Sequence, residues 1–166
     1  MDAFLAKALG EIERSAGDLT PDVIGRPADG RWSIADILEH LTLAFTLNRT
    51  AFEKALASGE PRARRPRLVQ WIGRVLVIDI GHFPRAEAPE KTWPQQSIAP
   101  ERSVAAIREA LLALDGTLTR VADRFGERVM VANHPYFAGL TVGQWRKFHW
   151  RHTVHHMRQV RQRLRG

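Results

Sequence analysis

The sequence predicts an all-α protein, a four-helix bundle with an additional short helix and long loops. Three observations lead to this prediction. Apolar residues recur at helical spacing in the long segments, helix-capping patterns precede two of them, and no segment indicates a sheet. The 166 residues, of which 44% are hydrophobic, suffice for one domain, residues 1–166, with one core.

The first two helices are predicted from spacing and from capping residues. Apolar side chains recur with helical period within residues 2–17. A loop rich in proline, glycine and aspartate is expected over residues 18–32. The second helix is predicted to begin after the N-cap Ser33, because Asp36 stands three residues later in a pattern close to a capping box, and to run to Gly59.

The remaining helices are separated by long connections. A helix of about fourteen residues is expected over residues 68–81, and another over residues 101–125. The last helix is predicted to start at Thr141, where Gln144 completes a T-x-x-Q capping box. Three connections are expected to be non-helical, namely the basic loop "EPRARRPR" at residues 60–67, the Pro-rich segment 82–100 and an extended linker at residues 127–140.

The last helix contains four histidines within eight residues, in the stretch "HWRHTVHH". With His149 at zero on a helical wheel, His152 falls at about −60° and His156 at about −20°, on the face that Trp145 shares. His155, at about −120°, lies at the edge of that face. The basic residues of this helix fall on the opposite side and are expected to be solvated. Imidazoles on an inward face need partners, and a metal ion is one such partner.

A second helix offers a third imidazole of the same kind. His40 falls on an apolar side of the helix that begins after Ser33. His152 and His156 stand one helical turn apart, which is a metal-ligand spacing. Because the chain has no cysteine, any metal ligands must be histidine, aspartate or glutamate. The sequence therefore predicts a three-histidine metal site.

Two segments resemble one known superfamily. The stretch "GRWSIADILEHL" is similar to the W-S…H-L segment that opens the second helix of DinB-like (damage-inducible, YfiT-like) proteins. The stretch "HPYFAGLTVGQWRKFHWRHTVHHMRQV" resembles their closing segment, with H-P, L-T, a tryptophan and H-x-x-x-H followed by R-Q. The resemblance implies a four-helix bundle, often a homodimer, in which His40, His152 and His156 hold zinc, nickel or iron.

The same resemblance suggests kinds of reaction and leaves one ligand open. Some relatives transfer low-molecular-weight thiols to small electrophilic substrates, and others are similar to hydrolases or isomerases. The extra imidazoles His149 and His155 depart from the usual pattern, so His149 in place of His152 stays an alternative ligand. A non-catalytic protein that binds or senses metal is the alternative to an enzyme.

Three neutral ligands would leave an ion with an open position, which is typical of a catalytic site. The nucleophile would be water or a thiol, and a thiol would have to come from a cosubstrate. His149 is the candidate proton shuttle, with a buried polar neighbour as the other interpretation. Possible acceptors for the ligands' second ring nitrogens are Asp36, Glu39 and Asp79.

Two further side chains are expected to have structural roles. His134 is expected to cap a turn in the linker together with Asn133, with a place in the wall of the pocket as the alternative. Gln159 is expected to make a structural hydrogen bond, with a bond to a ligand as the alternative.

The composition also restricts partner and location. The net charge of +7 raises the question of nucleic acid, but the basic loop has no interleaved aromatic residues and no base-reading motif is present. Nucleic acid is therefore not the favoured partner. The N-terminus lacks the apolar run of a signal peptide, and the most apolar stretch is interrupted by Gln70 and Arg74. We expect a cytoplasmic protein with no membrane segment.

Overall fold

The computed structural model describes residues 1–61, 63–84 and 88–165, and its architecture is helical. The all-α class is therefore confirmed, with a small two-stranded sheet in addition. The elements follow in the order α1 (Ala3–Ala16), α2 (Pro21–Ile24), α3 (Ile34–Ser58), α4 (Leu68–Arg74), a π-helical segment (Val75–Ile80), a 3₁₀ turn (Glu90–Thr92), α5 (Pro100–Phe125), β1 (Met130–His134), β2 (Ala138–Thr141) and α6 (Val142–Arg163).

The long helices pack in two pairs around one apolar core. Helix α3 runs along α5, and α1 runs along α6. Contacts between α1 and α5 and between α3 and α6 join the two pairs. Most of the largest side chains that are fully buried come from α1, α3, α5 and α6, including Leu5, Phe45, Phe52, Leu111 and Trp145.

The caps predicted for the two histidine-bearing helices are confirmed. The Ser33 hydroxyl accepts from the Asp36 backbone N–H at 3.1 Å, and the Asp36 carboxylate accepts from the Ser33 N–H at 2.8 Å. Helix α3 ends before Gly59, which has the left-handed conformation that glycine tolerates best, with φ 69°. The Thr141–Gln144 capping box starts α6 in the same way. Local chemistry thus sets the register of both helices.

A β-hairpin replaces part of the linker that was expected to be merely extended. Strands β1 and β2 pair antiparallel, with His134 opposite Ala138 and a bulge between Met130 and Ala132. The expectation of no sheet was wrong at this point. Ala138 occupies the left-handed position after the three-residue loop, with φ 55°. Glycine is the usual residue there, so the chain lacked the common turn signal.

The helix expected over residues 68–81 forms as α4 and the π-helical segment that continues it. The expected loop over residues 18–32 contains the short helix α2. The loop 60–67 and the segment 82–100 each contain residues outside the described ranges, namely residue 62 and residues 85–87.

The basic side of α6 is less solvated than the sequence suggested. Lys147 forms an ion pair with Asp79 at 2.6 Å, and Arg151 donates to the Asp79 backbone carbonyl at 3.0 Å. Arg161 donates to the Ser15 hydroxyl at 2.5 Å. The expectation failed for these three residues because α1 and the π-helical segment pack against that side of α6. In the described part of the chain, no helix is both long enough and apolar enough to span a bilayer.

Candidate metal centre

Three histidines predicted as ligands meet between α3 and α6. The Nε2 atom of His152 lies 3.4 Å from Nε2 of His40 and 3.0 Å from Nε2 of His156. His40 and His156 are buried and His152 is half-buried. Each offers one ligand atom, and these atoms all lie within 4.8 Å of one another. Within the described residues, this is the group that has the geometry of a metal site.

The spacing of these nitrogens fits a small divalent ion. With zinc–nitrogen bonds of about 2.0–2.1 Å in a tetrahedral site, neighbouring ligand nitrogens lie about 3.3–3.4 Å apart. The two separations from His152, 3.0 and 3.4 Å, are close to that spacing. Little movement of the side chains is therefore needed for all three imidazoles to bind one ion.

Hydrogen bonds on the far side of two rings fix which nitrogen faces the centre. Nδ1–H of His40 donates to the Thr92 carbonyl at 2.8 Å, because a carbonyl oxygen can only accept. Nδ1–H of His156 likewise donates to Oε1 of Gln159 at 2.8 Å. A neutral imidazole carries one N–H, so both Nε2 atoms present lone pairs to the centre. His152 can carry at most one proton on Nε2, and this single N–H cannot donate well to Nε2 of both His40 and His156. A metal cation, in contrast, can bind all three Nε2 atoms.

Burial keeps the three imidazoles neutral, which is the form that binds metal. Desolvation is the largest cause in each case. Together with smaller effects of the neighbouring His40 and His155, it lowers the pKa of His156 to about 3. The pKa of His152 is lowered well below its usual value, by desolvation and then by the surrounding histidines. The pKa of His40 is lowered in the same direction, although its bond to Thr92 opposes the shift. The histidines therefore do not require deprotonation near neutral pH before an ion binds.

The acceptors suggested by the sequence are not the ones the structure uses. Among the described contacts, the carboxylates of Asp36, Glu39 and Asp79 make no hydrogen bond to the three histidines. Asp36 caps α3 and Asp79 pairs with Lys147. Glu39, although buried, accepts from the backbone N–H and hydroxyl of Ser97 at 3.0 and 2.5 Å. The actual acceptors are a backbone carbonyl, which sequence patterns do not reveal, and Gln159, which had been assigned a structural role.

The two extra histidines of α6 lie beside this centre in different surroundings. His149 is fully buried, with its ring stacked on Trp145 at 5.8 Å between centroids and edge-on to Phe45 at 5.3 Å. Within the described structure neither of its ring nitrogens has a hydrogen-bond partner, and burial lowers its pKa to about 3. His155 is half-buried and stacks on Phe83 at 4.7 Å. The structure thus gathers His152, and not His149, with His40 and His156.

Two other aromatic side chains complete the surroundings. Trp32, just before α3, packs its ring 5.0 Å from that of His40. His134 accepts from the Tyr136 backbone N–H at 3.2 Å, so it caps the hairpin turn as expected. Asn133 instead accepts from the backbone N–H of Arg64 at 2.8 Å, which ties the basic loop to the hairpin.

The histidines form part of the wall of a large pocket. Its volume is about 1130 Å³, and its walls come from α3, α4, the segment before α5, the hairpin and α6. Apolar side chains dominate the wall, among them Leu47, Leu76, Phe83, Trp93, Phe137 and Phe148. Such a concave apolar space with a few converging polar groups is the usual form of a small-molecule site.

Replacing Gln159 with leucine is expected to weaken metal binding about 10- to 100-fold, the usual effect of losing an outer-shell partner. The substitution removes the acceptor that orients His156 but no ligand atom. Competition with a chromophoric chelator measures the affinity. Gln162→Leu, at an exposed position on the same helix, is the matched control. If Gln159→Leu and Gln162→Leu bind the metal with equal affinity, the role of Gln159 is contradicted.

Comparison with known proteins identified one family. A family model described as the DinB superfamily matches residues 5–160, nearly the whole chain. Neither the search of curated proteins nor the search of solved structures found a match.

Proposed function

Because the chain belongs to the DinB superfamily, we propose that it is a metal-dependent enzyme, formed by a single domain, in which His40, His152 and His156 hold a divalent ion. The observation that supports this proposal most directly is the convergence of three neutral imidazoles, through Nε2 atoms 3.0 and 3.4 Å apart, at the wall of a large pocket. Three protein ligands leave a coordination position for a reactant, whereas structural sites are usually closed by four.

The three histidine ligands restrict which metal ions are suitable and which reactions are possible. Imidazole nitrogen suits zinc, copper, iron and nickel. Among these we propose zinc, nickel or iron, the ions that the resemblance to DinB-like proteins implies. When bound, such an ion lowers the pKa of a water or thiol that it binds, which provides a nucleophile near neutral pH. Thr92 and Gln159 hold the His40 and His156 rings in place, and the surrounding apolar walls limit access of bulk water.

Two reactions fit this arrangement. With water as nucleophile the protein would be a hydrolase, and with a low-molecular-weight thiol as cosubstrate it would be a thiol S-transferase. The chain has no cysteine of its own, so the thiol would enter from solution. His149 stays the predicted proton shuttle, and the activity of a His149→Leu variant in the assay below tests this role. Full activity in that variant would end this prediction.

An assay with model substrates tests the proposed function. Protein reloaded with zinc, nickel or iron would be assayed for hydrolysis of p-nitrophenyl esters and for transfer of small thiols to 1-chloro-2,4-dinitrobenzene. We expect at least one activity that disappears with a chelator, returns with the ion and is absent from His156→Ala. Activity equal in wild type and His156→Ala would contradict the proposal.

We also propose that the protein is a homodimer. Helix α4 and its π-helical continuation expose several large apolar side chains, including Leu68, Val69, Trp71, Ile72, Leu76 and Ile80. Apolar surface of this kind commonly marks an interface. Replacing Ile72 with glutamate is expected to shift the protein from dimer to monomer in sedimentation velocity, because a charge would be buried there. Leu112→Glu, at an exposed position on α5, is the control and should leave the mass unchanged. A monomeric wild type would refute the proposal.

A further inference from the structure

The pocket beside the three histidines differs in charge from the rest of the molecule. The chain contains 25 lysines and arginines and has a net charge of +7. Yet among the described residues that line the pocket there is no lysine and no arginine. The described part of the lining includes one carboxylate, that of Asp36, and this group is already bound in the capping box of α3.

The polar groups along the wall, apart from the histidines and Asp36, carry no charge. Asn48, Gln70 and Gln96 contribute amides, which can hydrogen-bond a neutral oxygen or nitrogen. An anion placed between the described walls, which leave out residues 62 and 85–87, would lose its hydration without gaining a lysine or arginine as a partner, and that exchange is unfavourable. An uncharged apolar molecule meets no such penalty and gains from burial.

Small residues help to keep this space open. Ala44 lies on α3 one turn beyond His40 and lines the pocket. Gly73 lines the pocket from α4, and a Cβ at that position would lie 3.5 Å from the nearest ring carbon of Phe137. The volume of about 1130 Å³ lies slightly above the range of about 300–1,000 Å³ for small-molecule sites. The pocket can therefore accept a molecule with several rings or a long alkyl chain.

We propose that the pocket selects a substrate with a large, uncharged, apolar body and places its reacting group at the three histidines. This inference rests on the proposed function for the reacting group, but the selection of a neutral body is a property of the walls alone. Ala44 is the proposed size-determining residue. A cosubstrate with several negative charges would not be accommodated between these walls.

Two fluorescent probes with the same ring skeleton test the charge preference. N-phenyl-1-naphthylamine is neutral, and 1-anilinonaphthalene-8-sulfonate adds one sulfonate. Titrated into metal-free wild type, the neutral probe is expected to bind at least about tenfold more tightly. The positive net charge would favour the opposite order for binding to the surface. Equal affinities, or tighter binding of the sulfonate, would overturn the proposal. Trp32 and Trp93 line the pocket, so quenching of tryptophan emission reports occupancy.

Two variants show whether the probe is in this pocket. Ala44→Phe should raise the Kd of the neutral probe at least about tenfold, whereas Leu112→Phe on the exposed side of α5 should not. Leu47→Arg places a cation at a partly exposed position of the wall, where folding is less at risk, and should tighten binding of the sulfonate about tenfold. If Ala44→Phe and Leu47→Arg both fold and neither changes the affinity for either probe, the proposal is refuted.

The His156→Ala variant separates this proposal from the proposed function. We expect it to lose the metal and still prefer the neutral probe to the sulfonate, because alanine in place of a neutral imidazole adds no charge to the wall. A wild type that binds the neutral probe selectively but no metal would refute the proposed function and leave the pocket assignment intact. A wild type that binds metal but shows no preference for the neutral probe would refute the pocket assignment and leave the proposed function intact.

Discussion

Replacing His156 with alanine is expected to reduce bound metal from about one ion per chain to near zero. The substitution removes one of three ligands, so the loss of affinity should exceed the factor of about 10–100 that follows removal of an outer-shell partner. Elemental mass spectrometry on protein purified without a histidine tag measures the content. His40→Ala should have the same effect, since its Nε2 lies in the same group.

A matched control distinguishes the loss of a metal ligand from the loss of an imidazole elsewhere in the pocket. His82 lines the same pocket and is exposed, and it does not belong to the three-histidine group. His82→Ala should retain the metal content of the wild type. If the wild type holds no ion and takes up no zinc, nickel or iron, the centre is a buried polar cluster and the enzyme proposal loses its main support.

The second large effect is a loss of stability in mild acid. Burial lowers the pKa of both His134 and His149 to about 3, from an ordinary value of 6.5. Above pH 6.5 these residues are neutral in both folded and unfolded chains and contribute no pH dependence. Between pH 6.5 and about 3 the unfolded chain takes up the protons and the folded chain does not, so the free energy of unfolding falls as the pH falls.

The size of this effect follows from the pKa difference. At pH 5 the unfolded chain gains about 2 kcal/mol for each of these two histidines, or about 4 kcal/mol together, from 1.36 kcal/mol per pH unit over about 1.5 units. In metal-free protein His156, whose pKa is also lowered to about 3, and the other two histidines of the centre add to this loss, so about 4 kcal/mol is a lower bound. Urea titrations of metal-free protein at pH 7.5 and pH 5.0 measure the difference. A domain of this size has a total stability of about 5–15 kcal/mol, so the change is large.

The His149→Leu variant tests the prediction at one residue. Leucine has a similar volume to histidine and leaves no polar atom without a partner, so we expect little change, or a gain, in stability at pH 7.5. The loss between pH 7.5 and 5.0 should shrink by about 2 kcal/mol, because one proton-binding site has been removed from the unfolded chain. An unchanged pH difference would show that His149 titrates normally in the folded protein. The metal content should stay that of the wild type.

Much of the site could be predicted because its signals are local. Ser33 with Asp36, and Thr141 with Gln144, fix where α3 and α6 begin through contacts between residues three positions apart. Once a helix begins at a known residue, its period of 3.6 places each side chain on a face. This reasoning placed His152 and His156 together and put His40 on an apolar side of its own helix, and the resemblance to the DinB superfamily selects the same three residues.

The sequence by itself therefore determined the helical class, the main helix boundaries and three histidines that converge. Only the tertiary structure decided what surrounds them. The Thr92 carbonyl reaches His40 across 52 positions of the chain, and the hairpin forms although Ala138 occupies a position usually taken by glycine. The neutral walls of the pocket come from segments far apart in sequence. Such contacts depend on how the helices pack, and no periodicity within one segment contains that information.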